Sequence, residues 1–414
     1  MTMLPLYKDA ATIHERKDSN AGLLFERFFN QFNADASDIL ESKELNGKLI
    51  QGNNFWLQTF KKAGNTDALQ AAACQQMDLV KQLNGKHKFF NTQWHFVTGT
   101  GYPHPVENGL LWHRVHGVPY LSGAAVKGLV RAWIEEWEFA DIEDQTERET
   151  KKRIRLLSWF GSDDKYAKKQ QHPSQAGDII FFDALPVKEV HLVTDIMTPH
   201  YGKRYSEGGK IENVANEPKK VPADWHAPVP IPFLVVDKAT SYLFSIAPRN
   251  AQVTVDINEV MDCLILALEW LGAGAKTATG YGQMPFDQKI HDNLEKELQQ
   301  IKITKAEELH TLQEELDFAK KLKNLSPLAQ DYFTQIRAEN WQGDINAFWQ
   351  TGRVEQWLDK LEDEPDLQII QSIKDLMNLH FTGLLADPEK VAGRRNKPVY
   401  KERQQQVAYR VNKL

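Results

Sequence analysis

The stretch HGVPYLSGAAVKGLVRAW, His116–Trp133, passes from turn-forming residues into a run whose apolar positions repeat every three to four residues. Val126, Leu129, Val130, Trp133 and Trp137 fall on one side of a helix predicted from about Ser122 to Glu138. Ser122 and Gly123 stand where an N-cap belongs. Unpaired N–H groups at a helix start attract phosphate, and Lys127 and Arg131, four residues apart, share a face. Two readings stay open here: a helix that tracks a nucleic-acid backbone, and a capped amphipathic helix with two solvated cations.

Strand patterns lie on both sides of this helix. Upstream, Phe90, Thr92, Trp94 and Phe96 alternate, and the turn-rich GTGYPHPVENG follows. Downstream, Asp178–Ala184 reads as a buried strand that Pro186 terminates, and Val190, Leu192, Thr194 and Ile196 alternate again. Strands are expected at about Phe233–Val236 and Tyr242–Ala247 around a polar DKAT turn. A helix from about Asn258 to Leu271 comes next, then a glycine-rich loop and a short strand at about Tyr281–Phe286. The order strand, helix, strand, strand, helix, strand, with an extra hairpin inserted, predicts an α+β, ferredoxin-like (RRM-like) core. Two N-terminal helices precede it, one capped by Asn20 and carrying Leu23, Leu24, Phe25, Phe28 and Phe29, the other from about Thr66 to Leu83. From about Ile290 the pattern is helical to the end. The expected domains are therefore 1–289, with an inserted loop at 197–232, and a helical C-terminal region, 290–414. The basic tail Val391–Leu414 of that region carries Arg394, Arg395, Lys397, Lys401, Arg403, Arg410 and Lys413.

The glycine-rich loop is GAGAKTATGYG, Gly272–Gly282. Ala275-Lys276-Thr277 imitates the end of a P-loop, but that motif needs Gly directly before Lys and joins a strand to a helix. Here Ala275 precedes Lys276 and the loop leaves a helix. A small-residue loop can instead bring its backbone close to phosphates, which makes Gly272, Gly274, Lys276, Thr277, Thr279, Gly280 and Tyr281 candidate RNA contacts; a tight connection is the alternative. In DIMTPHYGKRYSEGG, Asp195–Gly209, His200, Tyr201 and Tyr205 can stack on unpaired bases while Lys203 and Arg204 meet phosphate. A polar surface loop with incidental aromatics fits equally.

Composition narrows the classes. The 414 residues are 42% hydrophobic and 26% charged, ordinary for a globular chain, and the net charge of −6 argues against a strongly basic nucleic-acid binder without excluding a local basic face. Cys74 and Cys263 are too few for a disulfide framework or a four-cysteine zinc site and read as reduced core residues. No apolar run reaches membrane-spanning length and MTMLPLYKDAATIHERKD lacks a signal-peptide core, so a cytoplasmic protein without membrane contact is expected. His104, His113, His116 and His200 are available for acid–base cleavage of RNA. His113 and His116 lack a third ligand nearby in sequence. Asp183 and Asp195 end two strands, where they fit either a divalent ion or strand-end turns.

These segments together resemble the RAMP superfamily. GVPYLSGAAVKGLVR, Gly117–Arg131, is similar to its helix-entry motif G-x-P-Y-I-P-G-S-S-x-K-G-x-x-R, departing at Ser122, Ala124 and Ala125. SWFGS, Ser158–Ser162, resembles its L-F-G element, and GAGAKTATGYG its glycine-rich loop. NAGLLFERFF, GDIIFFDALP and DIMTPHY with the later PADWHAPVPIPFLVV narrow the likeness to the sixth RAMP subunit of the Cmr (type III-B) CRISPR effector complex. It covers about Asn20 to Phe286. The resemblance implies a non-catalytic, cofactor-free and metal-free RNA-binding subunit for antiviral defence. Such a subunit holds the 3′ part of the crRNA at the end of the backbone filament. Its implied partners are crRNA and target RNA, backbone subunits and the first RAMP subunit. A RAMP endoribonuclease that processes precursor RNA and a protein–protein adaptor are the alternatives.

Overall fold

The computed structural model describes residues 19–32, 43–45, 48–50, 52–162, 174–198, 230–391 and 398–414, with 211, 216 and 221 singly. The chain divides into two compact units, Met1–Lys302 and Ile303–Leu414.

In the first unit α1 (Ala21–Arg27) starts where Asn20 accepts the Leu23 N–H, as its N-cap position predicts. A hairpin, β1 (Lys43–Leu45) and β2 (Lys48–Ile50), leads to α2 (Gly52–Thr59) and β3 (Lys62–Ala63). The helix α3 (Thr66–Gln82) is capped by Asn65. Its first turn carries Asp67 and its last Lys81, both favourable to the helix dipole. Then come β4 (Lys86–Asn91), β5 (Trp112–His113), β6 (Val118–Pro119), α4 (Gly123–Glu136) and α5 (Gln145–Phe160). The strands β7 (Ile179–Phe181), β8 (Leu185–Pro186), β9 (Val190–Met197), β10 (Ile231–Val236) and β11 (Ser241–Pro248) precede α6 (Ile257–Trp270). The long α7 (Gln288–Leu322) begins in this unit.

The central sheet is antiparallel in the order β4-β11-β7, with β8 also on β11; Tyr242 stands opposite Phe90. Side chains alternate across a strand. Phe90, Tyr242 and Phe244 therefore join the main core with Val126 and Val130 of α4 and Val260 and Leu264 of α6. Phe89 and Leu243 point the other way, to Ala73 of α3, Val187, and Leu294 and Leu298 of α7. Both faces of β11 are thus covered, which explains why Tyr242–Ala247 are all buried. A second sheet runs β10-β9-β3.

Three strand expectations need correction. The alternation at 90–96 is not one strand: β4 stops at Asn91, and the chain crosses to the second sheet, where Phe96 pairs with Val236. Pro186 does not terminate the strand expected at 178–184, because β7 stops at Phe181. It lies in β8 at the sheet margin, where its missing N–H costs no ladder bond. No strand forms at 281–286. Gly282, at φ 68°, breaks the extended run, although its N–H reaches the His95 carbonyl and the Gln93 N–H reaches that of Gln283. In α4 the buried face is Val126, Val130 and Ile134, and Trp137 is exposed because the helix ends before it.

The second unit is helical: the rest of α7, then α8 (Pro327–Ala338), α9 (Ile345–Phe348), α10 (Arg353–Asp363), α11 (Leu367–His380), α12 (Pro388–Val391) and α13 (Pro398–Lys413). Tyr332, Trp341, Phe348, Trp357, Ile373 and Val407 are buried at its centre. Cys263 is buried and Cys74 half-buried, and neither is in a disulfide. No described helix is long and apolar enough to cross a membrane.

Candidate nucleic-acid interface

The glycine-rich loop leaves α6 and folds back on itself. Ala273 N–H donates to the Gly282 carbonyl and Ala275 N–H to that of Val97, both at 2.8 Å. Gly272, Gly274, Gly280 and Gly282 all have positive φ, and so does Lys276 at 62°, a conformation costly for residues with a Cβ. The glycines serve two purposes. A Cβ on Gly274 would strike the Val97 carbonyl and the Phe96 ring, and one on Gly282 the Ala273 carbonyl. These two exist for internal close approach, so valine at 274 would damage the fold before it reported on any ligand. Gly280 has nothing within 4 Å of its would-be Cβ and faces open space. The tip is a single 3₁₀ turn, Thr277–Thr279, in which the Thr279 hydroxyl donates to the Lys276 carbonyl at 2.8 Å. Ala278 and Thr279 are exposed and Thr277 is half-buried.

Facing this loop is a groove of about 390 Å³. Its walls are Gly272–Ala275, the Thr98–Gly101 segment, and Leu121, Ala125 and Leu129 at the start of α4. The glycine, alanine and threonine walls leave backbone groups within reach of a ligand, and Leu121 and Leu129 add apolar surface. Lys276 marks one side, with its ammonium 5.1 Å from the centre of the Phe233 ring. Below it the Tyr281 hydroxyl donates to Asp195, which also meets His95 Nδ1 at 3.3 Å; His95 Nε2 faces Asp237 at 3.6 Å. Burial pushes the Asp195 carboxyl up, but the Tyr281 hydroxyl, the Ile196 N–H and His95 outweigh it and hold the group below the usual range. Burial and then Asp195 push the Tyr281 hydroxyl up. This network ties the base of the loop to β9 and to the turn after β10.

The other residues singled out from the sequence divide differently. The α4 start is not a vacant phosphate site. Its Ala125 N–H goes to Ser122 Oγ, and its Gly123 N–H to Asp183 Oδ1 at 2.6 Å. A carboxylate already occupies the position an anion would take. Lys127 and Arg131 point away from the groove formed by Ala125 and Leu129. Lys127 Nζ donates to the Phe160 carbonyl, the last of α5, at 2.9 Å. Burial, then Arg249 and Arg131, push its pKa down. Arg131 pairs with Glu135 at 2.7 Å. His200, Tyr201, Lys203 and Arg204 lie outside the described residues, as do Tyr205, Arg394, Arg395 and Lys397. In the tail, Arg403 binds Glu355 and the Trp349 and Gln350 carbonyls, and Arg410 binds Glu362 and Asp359. These two arginines hold the helical unit together.

Of the histidines, His104 is a packing residue. It stacks on Phe25 at 4.2 Å, its Nε2 meets the Phe25 carbonyl at 2.8 Å, and its Nδ1 accepts the Val106 N–H. Burial pushes its pKa down against that carbonyl. His113 and His116 stack at 4.9 Å. Among the described residues no group of three or more His, Cys, Asp or Glu could hold a metal ion. Sequence reasoning missed Thr98–Gly101, Ala125, Leu129 and the His95–Asp237 pair. The small-residue run VTGTG, Val97–Gly101, was the available signal for the first of these.

The profile of the RAMP superfamily matches residues 90–284, which span the groove, the loop and the network beneath it. The chain is 30% identical over 252 residues to the CRISPR system Cmr subunit Cmr6 of Pyrococcus furiosus, covering 50% of this chain and 70% of that protein. The chain belongs to the Cmr6 family of RAMP proteins. A CRISPR system CMR subunit Cmr6 of Saccharolobus solfataricus is 24% identical over 177 residues, covering 42% of this chain and 47% of the relative. Among solved structures, a type III-B Cmr-beta complex bound to cognate target RNA contains a chain with TM-score 0.38 and 16% identity, over 57% of this chain and 71% of that one. The crystal structure of Cmr6 from P. furiosus gives TM-score 0.28 and 25% identity over 49% and 98%. These superpositions are loose, and the family assignment rests on the sequence matches. For this Cmr6-family chain the matched region and the glycine-rich groove coincide.

Proposed function

We propose that the chain is a non-catalytic crRNA-binding subunit of a type III-B (Cmr) effector complex. It holds the 3′ part of the crRNA at the end of the backbone filament, beside backbone subunits and the first RAMP subunit, and meets target RNA there. The observation that carries this reading is the 30% identity to a Cmr6 subunit. The groove between Gly272–Ala275, Thr98–Gly101 and the start of α4 supports it, because a small-residue surface suits sequence-independent backbone contact. The ferredoxin-like reading of the core belongs to the same proposal. The antiparallel order β4-β11-β7, with α4 and α6 packed on one face of it, supports that reading. A non-catalytic role is favoured by the engagement of both His104 nitrogens, and by the use of Asp183 as a helix cap and Asp195 in the Tyr281 network.

The test is purification of the tagged chain from its native cell, with sequencing of bound RNA and identification of co-purifying proteins. Repeat-derived crRNA with other RAMP subunits supports the proposal. Recovery of the chain alone, without RNA, overturns it.

One observation favours an adaptor role for the unit 303–414. Its Arg403 and Arg410 are consumed in internal ion pairs, while Leu309, Leu312 and Leu316 of α7 are about half exposed or more at coiled-coil spacing among acidic neighbours. Leu309→Glu with Leu316→Glu should lower co-purification of partner subunits and leave RNA affinity unchanged; loss of RNA affinity in step would refute the adaptor reading.

A further inference from the structure

A second cavity, of about 690 Å³, lies on the other side of the α4 start, a size typical of small-ligand sites. It adjoins the glycine-rich groove along two segments: the groove is lined by Gly101 and Leu121, the cavity by their neighbours Tyr102 and Tyr120. Tyr102 is 56% exposed, yet its backbone is held on both sides, its N–H on the Gly99 carbonyl and its own carbonyl on the Gly109 N–H. The ring is therefore a large aromatic surface presented from a fixed position. Arg27 and Arg114 line the same cavity, and neither makes an ion pair with a described residue. Trp112, also in the wall, is 3% exposed and its indole N–H has no acceptor among the described residues. That N–H is sealed inside the wall, so the donors offered to the cavity are those of the arginines. Glu26 and Asp183 supply carboxylates, and only one Asp183 oxygen is committed to the Gly123 N–H.

A ligand for this cavity needs a flat ring for the tyrosines, acceptors for the arginines, and donors for the carboxylates. A peptide strand offers no flat ring by itself, and a bare phosphate has no donor. Among RNA bases, guanine alone presents two adjacent donors, N1–H and N2–H₂, together with the acceptors O6 and N7. We propose that this cavity takes one unstacked guanosine of the single-stranded RNA that runs through the adjoining groove. The base lies against Tyr102, its Watson–Crick edge faces Asp183, and its phosphate meets Arg114 or Arg27. The proposal rests on the RNA-binding reading and adds base selectivity to it at one position.

The experiment is fluorescence anisotropy of the full chain with labelled oligouridine carrying a single central G, A, C or U. Pairing of the guanine N1–H and N2–H₂ with the Asp183 carboxylate predicts that the G oligonucleotide binds about five-fold or more tighter than the other three. Tyr102→Ala and Arg114→Ala, which remove the ring and the phosphate contact that seat the base, should each bring the G oligonucleotide down to the affinity of the other three, with the melting temperature unchanged, as exposed side chains allow. Equal affinity for all four RNAs, or a preference that survives both substitutions, overturns the guanosine site and leaves the RNA-binding reading standing. If no oligonucleotide binds, the RNA-binding reading fails. Titration with guanosine monophosphate against adenosine monophosphate then decides the cavity separately: Tyr102-dependent, guanine-selective binding supports it and no binding overturns it.

Discussion

Replacing Gly274 by alanine is expected to destabilise the first unit far more than the same change at Gly280, though both glycines have nearly the same positive φ, 84° and 88°. The left-handed conformation alone costs an alanine about 1–2 kcal/mol at either position. At 280 nothing else is met, because the space around the added methyl is empty. At 274 the methyl meets the Val97 carbonyl, which accepts the Ala275 N–H at 2.8 Å, and lies 3.0 Å from the Phe96 ring. Forcing that carbonyl aside gives up about 1 kcal/mol of hydrogen bonding and adds about 1–2 kcal/mol of overpacking. The totals are about 3–5 kcal/mol for Gly274→Ala and about 1–2 kcal/mol for Gly280→Ala. At about 2 °C per kcal/mol for a unit of this size, the melting temperatures should fall by roughly 6–10 °C and 2–4 °C. Thermal unfolding followed by circular dichroism and checked by urea titration reads both. Equal shifts for the two variants would refute the claim that Gly274 serves internal close approach.

Lys127→Met should lower stability by about 1 kcal/mol, the worth of the bond to the Phe160 carbonyl, and leave RNA affinity unchanged in a filter-binding assay. Arg403→Ala should cost the helical unit about 2–4 kcal/mol in urea unfolding while the salt dependence of RNA binding keeps its slope, because this cation releases no counterion from RNA. His104, His113 and His291 all have pKa values held below the ordinary 6.5, with burial the largest cause in each. The unfolded chain therefore takes up protons near pH 6.5 that the folded chain resists, and stability should fall as pH drops through that value. His104→Gln should flatten the slope; an unchanged slope would show that His104 does not carry its share.

Much of the architecture was legible because local signals agreed with tertiary packing. Ser122 and the apolar periodicity after Asn65 and Asp256 each mark a helix that forms within a residue or two of its expected bounds, and Asn20 caps a helix that ends at Arg27, short of Phe28 and Phe29. The strands at 90–96 and 281–286 were misread because alternation does not reveal that a chain changes sheets, as it does after Asn91, or that Gly282 takes a positive φ. Glycine density revealed the loop, but not that Gly274 and Gly282 answer to their own neighbours. Charge was the poorest guide. Lys127, Arg403 and Arg410 read as free cations, and each is satisfied by a carbonyl or carboxylate distant in sequence. The groove escaped notice because Thr98–Gly101 and Ala125 carry no charged or aromatic signature and meet the loop only through folding.

The most direct test of the central claim is photo-crosslinking of the purified RNA-containing assembly, followed by mass spectrometry of nucleotide-modified peptides from this chain. Adducts should fall on Lys276–Tyr281 and on the Thr98–Tyr102 segment and spare the helices of 303–414. Adducts confined to the helical unit, or none on this chain in an assembly that retains its RNA, would contradict the account.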